Sequence, residues 1–76
     1  MKFDTVNQIA NAAKKQYSSY VPNWTIDEAA ASINWIAENS ATKVEAAEKL
    51  FEMWEEEGAD FAGMEISKAQ FVAQLV

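Results

Sequence analysis

The chain has 76 residues, a net charge of −6, and half its residues apolar, nine of them aromatic. It is too hydrophobic for a disordered polymer and of a size for one domain, spanning 1–76. It contains no histidine, cysteine or arginine. That removes the usual transition-metal ligands, the Ser-His and Cys-His nucleophile pairs, disulfides, and bidentate recognition of phosphate. The only glycines are Gly58 and Gly63, so there is no glycine-rich phosphate loop. The expectation is a protein that is not an enzyme and holds no cofactor or metal. No apolar run approaches the ~18 residues needed to cross a membrane, and MKFDTV lacks the apolar core of a secretory signal. A soluble, cytoplasmic chain is expected.

The periodicity is helical throughout. Val6, Ile9, Ala10, Ala13, Tyr17 and Tyr20 recur at three- and four-residue steps and mark a first amphipathic helix. Asp4 or Thr5 is the expected cap, with Thr5 and Gln8 at capping-box spacing. Pro22 is the expected stop, because the residue before proline avoids helical geometry. Tyr17, Tyr20 and Trp24 read as an aromatic cluster at one end of the core. Lys14 and Lys15 read as solvated surface, as do Ser18 and Ser19, which have no histidine to activate them.

A second helix opens at Thr25, which forms a capping box with Glu28, and its core face is Ile26, Ala29, Ala30, Ile33, Ile36 and Ala37. After ENSAT the pairing of Thr42 with Glu45 repeats the signal. Val44, Ala47, Leu50, Phe51 and Trp54 then form a third stripe, closed by Gly58. A fourth helix is announced by Ser67 with Gln70, and by the staple spacing of Ile66 and Phe71. Ala69, Phe71, Val72, Leu75 and Val76 leave little polar surface, so this helix is expected to pack on more than one side, with a docked C-terminus. The fold class is all-α, a compact bundle of four short helices or two orthogonal helix-loop-helix pairs.

EEEGADFAGMEIS has the outline of a calcium loop between helices. Its ligand positions fall on Ala59, Phe61, Gly63 and Gln70, which supply no carboxylate cage. Helix-loop-helix packing without metal is the better account.

The acidic face is more informative. Glu45, Glu48, Glu52, Glu55 and Glu56 project within one third of the third helix, opposite its apolar stripe, and Glu57 continues the run. Residues 1–38 hold three lysines against four acids, whereas 39–76 hold three against eight. Glu48–Glu52 and Glu52–Glu56 are like-charge pairs costing roughly 0.2–0.5 kcal/mol each. Carboxylates at a helix C-terminus cost roughly 0.3–1 kcal/mol more apiece. Such local penalties concentrate at functional sites, although an acidic face also keeps a small apolar protein in solution. Trp35 projects away from its helix's apolar face, beside Glu28, Ser32 and Asn39. It is either an interface anchor or part of a helix buried on two sides.

Together these point to a small acidic binding module whose partner is a protein with a basic surface, including one that normally binds nucleic acid. Phage anti-defence proteins and DNA mimics are examples of that type. Direct nucleic-acid binding is not expected from six scattered lysines. The alternative is a structural domain that forms a homodimer through Trp35 and the last helix.

Overall fold

The computed structural model describes residues 1–18 and 20–76, so Ser19 of the expected Ser18–Ser19 surface pair lies outside the described residues. Four helices form in the order α1 (Phe3–Tyr17), α2 (Ile26–Glu38), α3 (Lys43–Glu56) and α4 (Lys68–Leu75), with no strand among the described residues. The all-α expectation holds. α1 and α3 are the central pair, each touching the other three helices, while α2 and α4 do not touch. α2 and α4 therefore flank the pair separately.

The cap expected at Asp4 or Thr5 is not used. α1 starts at Phe3, and its N-cap is Lys2 with no side-chain bond. Residue 1 instead makes a tertiary contact, its nitrogen donating to the carbonyls of Ala37 (3.1 Å) and Ser40 (3.4 Å). Asp4 sits one step inside the first turn, where a carboxylate still complements the helix dipole. Pro22 is not the stop either. α1 ends at Tyr17, whose carbonyl accepts from the N–H groups of Tyr20 and Val21. Tyr20 falls beyond the helix and is 44 % exposed, so only Tyr17 and Trp24 of the expected aromatic trio join the core.

α2 carries the full Thr25–Glu28 capping box. Ile33, Ile36 and Ala37 are buried as expected, but Ile26 is 90 % exposed. Its phase is correct, but it occupies the first helical position, and the first turn of α2 contributes no buried residue. In α3 the Thr42 hydroxyl accepts from the N–H of Glu45, but the Glu45 carboxylate accepts from Ala41 rather than Thr42, so only half of the box forms. Val44 is 45 % exposed, and Ala46 takes a core place in addition to Ala47, Leu50, Phe51 and Trp54. The buried arc leaves out Val44, which borders an open depression between α3 and α4.

α3 ends as its glycine requires. Ala59 N–H bonds to Trp54 C=O (2.9 Å) and Gly58 N–H to Glu55 C=O (3.1 Å), the paired bonds of a Schellman motif. Gly58 has φ +104°, and a Cβ there would meet nothing within 4 Å. The whole penalty of Gly58→Ala is thus backbone strain. A loss of about 1 kcal/mol is expected, read as a lower urea midpoint with an unchanged slope.

The connection to α4 is a plug. Phe61 is fully buried and stacks on Phe51 at 4.5 Å, with Tyr17 edge-on at 6.1 Å and Phe71 at 5.4 Å. The Asp60 carboxylate is committed to the N–H of Gly63 (3.0 Å), and Glu65 takes a left-handed φ of 58° to turn the chain into Ser67. The Ser67–Gln70 capping box forms, and fully buried Phe71 with half-buried Ile66 completes the helix start.

α4 is not packed on more than one side. Phe71 is its only buried residue, Val72 and Leu75 are half-buried, and Ala69, Ala73 and Val76 are exposed. Eight residues span about 12 Å, and α4 meets only α3 and α1. The C-terminal Val76 is 53 % exposed rather than docked.

The Tyr17 hydroxyl donates to Gln74, tying the end of α1 to α4, and burial pushes the phenol above its ordinary value. The unfolded chain therefore ionises this tyrosine first. Its contribution is complete below pH 10.0, the ordinary value, and is lost as pH climbs past it. Urea midpoints measured across that range should fall for the native protein and fall less for Tyr17→Phe.

Candidate partner-binding face

α3 positions its glutamates by helical repeat, with Leu50, Phe51 and Trp54 holding the opposite face in the core. The seven residues expected at a partner site do not form one surface. Glu55 and Glu56 are exposed and without an ion pair among the described residues. Glu52 is exposed but paired with Lys68 of α4, Nζ to Oε1 2.7 Å. Hydrogen bonding to Glu52, then its charge, with smaller help from Glu48 and Glu55, raises the Lys68 ammonium above the ordinary lysine value. Glu48 is half-buried on the α4 side.

The two ends of the run are occupied elsewhere. Glu45 caps Ala41, and Glu57, the C-cap residue of α3, accepts from the Trp24 indole N–H on the other side of the helix. These two carboxylates serve local structure.

Trp35 is 50 % exposed, so α2 is not buried on two sides there. It lines a depression of about 160 Å³ with Lys49, Glu52, Met53 and Glu56. The aromatic face of Trp35 from α2 thus shares one hollow with two carboxylates and one ammonium from α3. An indole beside carboxylates attracts cations, through its ring quadrupole at about 0.5–1 kcal/mol on a surface and through charge. Among the described residues no three carboxylates converge in the manner of metal ligands, and no helix is long and apolar enough to cross a membrane.

On the other flank of the ridge, Val44 and Glu48 of α3 face Lys68, Ala69, Val72 and Ala73 of α4 across an open groove of about 370 Å³. Helical period alone puts Val44 in the core and α4 against more than one side; the groove lies where neither holds. The signal was present in another form: α4 carries more apolar residues than one stripe needs. No protein-family model, curated protein or solved structure matches this chain, so a functional reading rests on this face alone.

Proposed function

We propose that this chain is a non-enzymatic binding protein, an inhibitor or adaptor, that docks the α3 ridge and Trp35 on a basic protein surface. The observation that carries the reading is the hollow where half-exposed Trp35 meets Glu52 and Glu56. A lysine or arginine of the partner seats there, stacked on the indole and paired with Glu56. Glu52 is already paired with Lys68, and Lys49 at the rim swings out to solvent to admit the partner's cation, while Glu48 and Glu55 extend the negative strip. Glu45 and Glu57 have structural roles and add only field. A basic surface that normally holds nucleic acid presents the matching charge, as in targets of phage anti-defence proteins and DNA mimics. The cysteine-free composition suits a reducing compartment, the cytoplasm.

The test is affinity capture from the native host's lysate at low and high salt, with native protein and a Glu48/Glu52/Glu55/Glu56→Gln variant. A basic protein retained by the native chain, released by salt and lost with the variant is the expected result. Equal retention by both across all salt concentrations would sink the reading. Trp35→Ala is expected to weaken the same complex at least about tenfold, as a central aromatic anchor does. A Trp35→Ala complex of native affinity, measured by titration calorimetry, would remove Trp35 from the site.

A further inference from the structure

We infer that the groove between α3 and α4 seats an amphipathic, basic helix of the partner, whose apolar residues enter the groove while its lysines or arginines reach the flanking glutamates. The inference rests on the proposed function and names the chemistry of the partner segment. The walls are aliphatic: Val44 on one side and Ala69, Val72 and Ala73 on the other, the last three at the i, i+3, i+4 spacing of one helix face. At about 370 Å³ the groove lies near the lower bound for small-molecule pockets, but it is open to solvent. That shape suits side chains projecting from a helix laid along it.

Charge selects the kind of helix. Glu48 lines the groove, and Glu52 and Glu55 stand on the same ridge, whereas Lys68 is the sole lysine in the lining and is already paired with Glu52. A helix with lysine or arginine beside its apolar stripe meets unpaired Glu48 and Glu55. A second copy of this chain brings −6 more charge, so like-charge repulsion opposes it as the occupant.

The probe is a synthetic helical peptide with leucine at every third and fourth position and lysine elsewhere, titrated into the full chain. A control peptide carries alanine in place of each leucine. The leucine peptide is expected to bind at least about tenfold tighter than its control, with NMR shift changes at Val44, Ala69, Val72 and Ala73. Ala69→Gln and Ala73→Gln, each at an exposed position, fill the groove without altering charge. Either is expected to abolish that preference and leave control binding unchanged.

Equal affinity of the two peptides overturns the groove while leaving the acidic ridge as a charge-only site. No binding of the leucine peptide overturns it as well. Concentration-dependent self-association in sedimentation, lost in Ala73→Gln, overturns it in favour of a second copy. Failure of the proposed function is separate: it is read from the lysate capture, where the glutamine variant would keep its partner.

Discussion

Phe61→Ala is expected to leave the protein largely unfolded at room temperature. Phe61 comes from a loop, yet it is fully buried and touches the rings of Tyr17, Phe51 and Phe71. Truncating a buried phenylalanine costs about 3–5 kcal/mol, and the core of a domain of this size rarely supplies more than about 3–5 kcal/mol of net stability. The two magnitudes meet, so the folded population collapses. The residual cavity cannot close easily, because the Asp60–Gly63 turn and the Ile66–Phe61 backbone bond fix the loop's path. Circular dichroism at 222 nm and urea titration check this directly. Phe61→Leu, which keeps most of the volume, should cost only about 1–1.5 kcal/mol and remain folded. If Phe61→Ala unfolded with a native midpoint, the loop ring would not be part of the core.

The Glu48/Glu52/Glu55/Glu56→Gln variant is expected to be more stable than the native chain while losing its partner. Two like-charge i,i+4 repulsions disappear, at roughly 0.2–0.5 kcal/mol each. Two carboxylates leave the unfavourable C-terminal end of α3, at roughly 0.3–1 kcal/mol each when exposed. Against this stands the loss of the exposed Lys68–Glu52 pair, which solvent screening keeps weak. The balance is a gain of about 1 kcal/mol, visible as a higher urea midpoint at low salt and a smaller difference at high salt. Stability and binding moving in opposite directions would mark the ridge as kept for recognition. A variant that lost stability would show that the glutamates serve the fold.

Local signals determined the helices and most of their ends. Thr25–Glu28 and Ser67–Gln70 close their capping boxes, and Gly58 ends α3, because those bonds lie within a few residues of each other. The acidic ridge was legible for the same reason, since helical repeat alone puts Glu48, Glu52, Glu55 and Glu56 on one side.

What escaped the sequence depended on how far the core extends. Ile26 and Val44 have the right period, but one sits exposed in the first turn of α2 and the other borders an open groove. Phe61 lies in a loop with no period to read, and is buried because three rings from α1, α3 and α4 leave a space that it fills. Residue 1 rests on the end of α2, a contact across 36 residues that no local spacing reveals.

The sequence by itself thus determined an all-helical chain, its caps and a one-sided negative charge, all set by interactions within a turn or two. Only the tertiary structure decided which glutamates remain free, that Trp35 lies beside Glu52 and Glu56, and that α4 leaves a groove. Those features arise between helices, where packing distance and the edge of the core, rather than sequence spacing, decide which side chains meet.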